Sequence, residues 1–104
     1  MNIIWTEGAL SDWSVIAQYI GVHFGKKAFE DFENATDEAE HQIQVYPESG
    51  TIQTTRKHSQ LKLRFVLINK LSKMIYHVDD DAIFIDVIWD TRQSPKRLEK
   101  RLGL

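Results

Sequence analysis

The chain has 104 residues, of which 42% are hydrophobic and 27% are charged, and its formal net charge at pH 7 is −2. This composition is typical of a folded globular protein and excludes a disordered chain, while the length favours one domain spanning residues 1–104. The absence of cysteine excludes disulfides and thiolate chemistry, and no apolar run reaches the roughly 18 residues that a membrane-spanning helix requires. We therefore expect a single soluble, cytoplasmic domain with no membrane partner.

Charge is distributed unevenly along the chain. Residues 1–50 hold two Lys or Arg against nine Asp or Glu, a net charge of −7, whereas residues 51–104 hold eleven against six, a net charge of +5. Such an asymmetry is compatible with an ordinary solvated surface. It equally suits a basic half that binds a polyanionic or acidic partner.

The first half of the sequence predicts a strand and two helices. The run NIIW at 2–5 is rich in β-forming residues, and Thr6 after it is a suitable helix N-cap with Glu7 in the first turn. Apolar residues then recur at helical spacing as far as residue 20, and again in a second helix from about Lys26 until Pro47 ends it. We expect the two helices to form an antiparallel hairpin with an acidic outer surface.

The second half predicts an antiparallel meander. Residues 61–69, 73–78 and 82–89 are three strand-like runs joined by tight turns, while residues 51–60 are polar and fit a loop or a ragged edge. The helix hairpin would cover one face of the sheet. We expect the other face to stay partly open and to present Lys62, Arg64, Asp86 and either His77 or its neighbour Tyr76, depending on the strand register.

A basic segment, WDTRQSPKRLEKR (89–101), follows the last strand. Ser94 followed by Pro95 is the pattern of a helix N-cap with proline in the first turn. The segment is either a solvated tail or an arm that contacts an acidic or polyphosphate partner. The basic residues of this arm are Lys96, Arg97, Lys100 and Arg101.

The segment RFVLINKLSKMIYHVDDDAIFIDVIWDTRQSPKRL resembles the C-terminal half of RelE/ParE-type toxins of bacterial type II toxin–antitoxin modules, which include plasmid stabilisation proteins. The earlier part, WTEGALSDWSVIAQYI, AFEDFENATDEAEHQI and the loop YPESG, is similar too, so the resemblance covers nearly the whole chain. The residues that support it are Arg64, Tyr76, Val78, Asp79, Asp81, Trp89, Asp90, Arg92 and Pro95.

The resemblance implies an α+β fold of the order βααβββ, with a helix hairpin packed on an antiparallel sheet. It also implies a protein that is harmful when free and is neutralised by a cognate antitoxin. RelE-like toxins cleave messenger RNA at the ribosomal decoding site, whereas ParE-like toxins share the scaffold, lack that catalytic set and poison DNA gyrase. The resemblance alone therefore names a system and leaves its chemistry open.

Three residues are candidates for catalysis if the chain cleaves RNA. Metal-independent cleavage needs a proton acceptor, a group that stabilises charge on the phosphate, and an acid for the leaving oxygen. Arg64 and Arg92 suit the phosphate role, and His77 is the best acid–base candidate. The alternatives are structural: Arg64 would pair with a carboxylate such as Asp86, Arg92 would pair with Asp90, and His77 would be a half-buried packing residue.

Five further basic residues are candidates for binding RNA or a protein partner, because they lie around the first meander strand or on the C-terminal arm. They are Arg56, Lys57, Lys62, Lys96 and Arg97. No metal or other cofactor is expected.

The acid–base set is incomplete, since there is no glutamate between residues 51 and 98. This favours a ParE-like binding poison that acts on DNA gyrase or another protein, and it leaves the existence of an enzymatic activity undecided. The alternatives are a RelE-like ribosome-dependent mRNA endoribonuclease and a non-toxic degenerate module. In each case we expect an antitoxin to cross the open sheet face and the C-terminal arm.

Overall fold

The computed structural model describes residues 1–53 and 62–103. Three helices pack on a five-stranded sheet, so the predicted α+β fold is confirmed. The elements in chain order are β1 (Asn2–Trp5), α1 (Glu7–Phe24), α2 (Lys26–Val45), β2 (Thr51–Ile52), β3 (Arg64–Asn69), β4 (Ser72–Asp79), β5 (Ala82–Asp90) and α3 (Pro95–Arg101).

The strand order is β1-β5-β4-β3-β2. Strands β3, β4 and β5 form the predicted antiparallel meander, in which Arg64 lies opposite Tyr76 and Ser72 lies opposite Asp90. The sheet is mixed, because β1 adds in parallel to the edge of β5. Strand β2 extends the other edge by pairing with β3 in a segment that the sequence predicted as a loop or ragged edge.

Local signals in the sequence set the helix ends. The Thr6 hydroxyl accepts a hydrogen bond from the Ala9 N–H at 3.1 Å, which caps α1 as predicted. Gly25 separates α1 from α2 with a φ of 92°, a left-handed conformation that favours glycine. The Ser94 hydroxyl caps α3 by accepting from the Lys96 N–H at 3.2 Å, and Pro95 occupies the first turn.

The main core lies between the helix hairpin and one face of the sheet. Its strand residues alternate along the chain, as period-two side-chain geometry requires. The fully buried members include Ala9, Ile43, Met74, Tyr76, Ile83 and Ile85. In the described part of the chain, no helix is both long and apolar enough to cross a bilayer.

A second apolar cluster lies on the opposite face of the sheet. Leu98 and Leu102, from α3 and its C-terminal end, pack there against the strand residues Ile75, Val87 and Trp89. The C-terminal segment therefore covers part of the face that the sequence predicted to be open. This face carries apolar side chains of its own, and they need a cover as the main core does.

Arg64 is on the other face from the one predicted. It lies on the same face of β3 as Val66 and Ile68, which belong to the main core, and it pairs with Tyr76 of the same core. The predicted alternation in this strand is correct, but its assignment to faces is wrong. Period two separates the two sets and does not say which one meets the helices.

Candidate functional site

Arg64 holds the segment 46–50, which connects α2 to β2. Its Nη1 donates to the Glu48 carbonyl at 3.2 Å and to the Gly50 carbonyl at 2.9 Å. The alternative of an ion pair with Asp86 is not observed, because Asp86 has a different partner. In this arrangement the guanidinium fixes the segment 46–50 to β3.

The Tyr76 hydroxyl binds the backbone of the same segment. Its Oη accepts from the Gly50 N–H at 3.0 Å and donates to the Pro47 carbonyl at 2.8 Å. Burial raises the pKa of Tyr76. Sequence reasoning missed this contact, although the loop YPESG and the tyrosine of the meander were both noted as features of the chain.

His77 lies on the face opposite Arg64 and pairs with Asp86. The His77 Nδ1 and the Asp86 Oδ2 are 2.6 Å apart, and the imidazole stacks on Phe84 with ring centroids 5.1 Å apart. Asp86 shares this face with Phe84, the residue opposite His77, because the two are separated by two positions along β5. Burial raises the pKa of Asp86, and the hydrogen bond from His77 opposes that shift.

Arg92 forms the alternative pair that the sequence offered. Its Nε and Nη2 donate to the two carboxylate oxygens of Asp90 at 3.1 and 2.9 Å. The hydrogen bond from Arg92 lowers the pKa of Asp90. The Arg92 side chain is 59% exposed, so this cation remains accessible from solvent.

The structure does not gather the three candidate catalytic residues. The side chains of Arg64 and His77 lie on opposite faces of the sheet. Arg92 lies two residues after Asp90, which pairs with Ser72 of β4. Ser72 is four residues from Tyr76, the residue opposite Arg64, which is about 13 Å along an extended strand. Each of the three is bonded to a group of its own chain.

The candidate binding residues are only partly described. Lys62, Lys96 and Arg97 are exposed, and in the described ranges 1–53 and 62–103 none of them forms an ion pair. Arg56 and Lys57 lie outside the described residues. Within the same ranges, no group of three or more His, Asp or Glu side chains is arranged to hold a metal ion.

Comparisons with known proteins identify the fold. No protein-family model matches the sequence, and no curated protein matches it significantly. A solved structure described as the chromosomal ParDE TA system from P. aeruginosa matches with a TM-score of 0.69 and 18% identity, covering 86% of this chain and 95% of that one. This chain has the RelE/ParE toxin fold.

Two further structures agree with that assignment. A YoeB/ParE toxin from Agrobacterium tumefaciens matches with a TM-score of 0.58 and 10% identity, covering 86% of this chain and 98% of that one. The heterotetrameric YoeB-YefM toxin-antitoxin complex from Staphylococcus aureus matches with a TM-score of 0.55 and 18% identity, covering 89% and 98%. At these identities the likeness establishes the fold.

The acidic outer surface that the sequence predicted for the helix hairpin is wrong for α1 of this RelE/ParE-fold chain. Helix α1 presents an apolar outer surface, the α1 stripe, formed by Val15, Tyr19 and Val22, which are 66%, 48% and 74% exposed. Residues 13–25 contain no Asp, Glu, Lys or Arg, whereas the outside of α2 is strongly charged. A groove of about 410 Å³ runs beside the stripe, with Phe24 and Arg92 among its lining residues.

Proposed function

We propose that this chain is the toxin of a type II toxin–antitoxin system and that it inhibits growth by binding a protein target. The ParE-like mode is preferred because of one observation, the dispersal of Arg64, His77 and Arg92. The fold, shared with ParE and YoeB toxins, supports the toxin part of the proposal. On this proposal the protein acts in the cytoplasm and helps to maintain the genetic element that encodes it.

The dispersal counts against RNA cleavage for a geometric reason. An acid or base must come within hydrogen-bond reach, about 3 Å, of the proton it transfers, while the charge-stabilising donor contacts the same phosphate. An imidazole and a guanidinium on opposite faces of one sheet cannot both reach a single phosphodiester. The hydrogen bonds of Arg64 to Glu48 and Gly50 also leave it less free to bind phosphate.

The α1 stripe supports action through protein binding. Contiguous exposed apolar surface on a small protein marks interaction sites, and a few anchors, with tyrosine prominent among them, contribute most of the energy at protein interfaces. DNA gyrase is the target that a ParE-like mode implies. The stripe provides a surface for such a target, and a nucleic acid would instead favour basic groups.

The proposal includes a cognate antitoxin. Two of the similar structures are described as a toxin–antitoxin system and a toxin–antitoxin complex, which supports a partner of this kind. Lys62, Lys96 and Arg97 would contact acidic residues of the antitoxin, because they are exposed and unpaired within the described part of the chain. A small protein encoded beside this chain that co-purifies with it would support this part.

A RelE-like ribonuclease is the second candidate. It is favoured by the short His77–Asp86 contact, because a carboxylate that orients an imidazole is a common feature of general bases. In that case His77 and Arg92 would act on the RNA, and Arg64 would have to leave its carbonyl partners to join them.

The test is expression of the chain without an antitoxin. We expect growth arrest with accumulation of gyrase cleavage complexes or inhibition of another protein, and no codon-phased cuts when purified ribosomes are examined by toeprinting. Codon-phased cuts that disappear in the His77→Ala, Arg92→Ala double variant would favour the ribonuclease. Normal growth at confirmed soluble expression would reject both toxic functions and leave the non-toxic module.

Variants of the α1 stripe sharpen this test. Val15→Glu together with Val22→Glu places charge on the stripe without disturbing the core, so we expect the folded protein to lose growth inhibition. Leu10→Glu is the matched control, because Leu10 is 52% exposed on a different side of the same helix. Growth arrest that survives in the stripe variant would contradict the proposed binding surface.

A further inference from the structure

A small cleft lies between the second face of the sheet and α3. It has a volume of about 190 Å³, and its lining includes Gln53, Lys73, Trp89, Gln93 and Leu98. Pockets for drug-sized ligands usually measure about 300–1,000 Å³. This cleft therefore fits a single side chain better than a nucleotide or a cofactor.

Lys73 is the only cation that lines the cleft within the described residues. Its Nζ donates to the Gln53 Oε1 at 2.7 Å and lies 4.3 Å from the centre of the Phe65 ring. Burial lowers the pKa of Lys73, since the ammonium is partly removed from water. The side chain is thus held in place by a neutral amide and an aromatic ring.

Within the described part of the chain, Lys73 has no carboxylate as an ion-pair partner. Among residues 1–53 and 62–103, no Asp or Glu oxygen forms an ion pair with the Lys73 Nζ, although Glu99 also lines the cleft. A partly buried charge without a counter-ion is costly, and buried cations are normally paired. An anion that entered the cleft would remove that cost.

We propose that the cleft binds the carboxylate of an Asp or Glu side chain carried on an apolar segment of a partner polypeptide. One cation flanked by the side-chain amides of Gln53 and Gln93 matches a singly charged, planar carboxylate. Trp89 and Leu98 provide apolar walls for the residues beside it. Glu99 also lines the cleft, and its charge repels a nucleic-acid backbone more strongly than a single carboxylate.

This inference stands apart from the proposed function, because it rests on the chemistry of the cleft alone. The probe is a short peptide, acetyl-Leu-Glu-Leu-amide, titrated into the ¹⁵N-labelled full chain and followed by NMR. We expect shifts of the Trp89 indole N–H and of the Gln53 and Gln93 side-chain amides. The Leu-Gln-Leu analogue should bind about tenfold more weakly, because it lacks the charge-assisted hydrogen bond.

Matched variants and ligands assign the binding. Lys73→Met should abolish the shifts, whereas Lys70→Met, at the exposed turn before β4, should leave them unchanged. Acetate and inorganic phosphate should bind more weakly than the Glu peptide. Equal affinity of acetate, tighter binding of phosphate, or equal binding of the Gln analogue would each overturn the proposal.

A measurement on the unsubstituted protein covers the case in which Lys73→Met fails to fold. A bound carboxylate favours the charged ammonium, so the Glu peptide should move the titration of the Lys73 ¹³Cε signal to higher pH. The Gln analogue should leave that titration in place. A Lys73 signal that is insensitive to both peptides would also overturn the proposal.

Discussion

The hydroxyl of Tyr76 and the backbone amide of Gly50 are hydrogen-bonded at 3.0 Å across 26 residues of sequence. The same hydroxyl donates to the Pro47 carbonyl at 2.8 Å, while Arg64 binds the Gly50 carbonyl at 2.9 Å. The segment between α2 and β2 is therefore fastened to the sheet by two side chains of neighbouring strands. This fastening gives Arg64 and Tyr76 a structural role in the RelE/ParE fold of this chain.

Tyr76→Phe should destabilise the protein by about 1–3 kcal/mol, because it leaves the Gly50 N–H and the Pro47 carbonyl without their partner. The ring itself is kept, so the core packing does not change. Urea unfolding followed by circular dichroism measures the difference. An unchanged unfolding midpoint would show that water replaces the hydroxyl without cost.

Gly50→Ala should also destabilise, for a steric reason. A Cβ on Gly50 would stand 2.5 Å from the Tyr76 Oη and 2.9 Å from the Phe65 carbonyl oxygen. Overpacking against such rigid neighbours costs about 1–3 kcal/mol.

Gly21→Ala is the matched control for that substitution. Gly21 lies within α1, and among the described residues its added Cβ would meet the Phe29 side chain alone, at an ordinary 3.7 and 3.8 Å. Helix propensity should then stabilise the protein by about 0.5–1 kcal/mol. Thermal melts of the two variants should therefore shift in opposite directions, and a shift of the same sign would refute the steric argument.

Asp12 joins three elements, so its loss should cost more than the loss of its cation. Its two oxygens accept from the Arg101 guanidinium at 2.9 Å each, and Oδ2 also accepts from the Ile88 N–H at 3.1 Å. Arg101→Ala removes a partly exposed ion pair worth about 0.5–1 kcal/mol. Asp12→Ala also leaves the Ile88 N–H without its acceptor, which adds about 1–3 kcal/mol to the loss of stability.

Hydrogen exchange separates the two effects of that site. Arg101→Ala should speed exchange of the amides of α3, because this ion pair ties the helix to α1, while Ile88 stays protected. Asp12→Ala should speed exchange of the α3 amides and of the Ile88 amide. Equal losses of stability in the two variants would mean that the bond to Ile88 contributes nothing.

Asp86 gives the protein a pH dependence that is opposite to the usual one for a carboxylate. Since burial raises the pKa of Asp86, the folded chain binds this proton more tightly than the unfolded chain does. Asp86 therefore contributes stability below the unfolded pKa, and that contribution is lost as pH rises through the folded pKa. We expect the melting temperature of Asp86→Asn to exceed that of the wild type at about pH 8. The difference between the two melting temperatures should narrow toward about pH 4.

Asp90 is the contrasting carboxylate for the same series of melts. The hydrogen bond from Arg92 lowers its pKa, so Asp90 contributes stability above the unfolded pKa and loses it as pH falls through the folded pKa. Asp90→Asn should melt below the wild type at neutral pH, by a small amount because the pair is exposed and screened. Shifts of the same sign in Asp86→Asn and Asp90→Asn would contradict the two pKa directions.

Some of the site was visible in the sequence and some was not. The pair of Arg92 with Asp90 was named as an alternative, because two residues so close in sequence are near in any fold. The partner of His77 was not named, although His77 and Asp86 were predicted on the same face, because their contact depends on the register of β4 with β5. The α1 stripe was missed because the whole outside of the helix hairpin was predicted to be acidic, although the acidic residues are concentrated in α2.

The sequence by itself determined the order and kind of the main elements. Capping residues, a positive-φ glycine and the change from helical to strand periodicity act over a few residues, so they can be recognised without any tertiary contact. Tertiary structure alone decided which face of β3 meets the helices, because Leu63 and Phe65 on one side and Val66 and Ile68 on the other are both apolar. That choice depends on contacts between residues far apart in the chain, and the same contacts place Arg64 and His77 on opposite faces of the sheet.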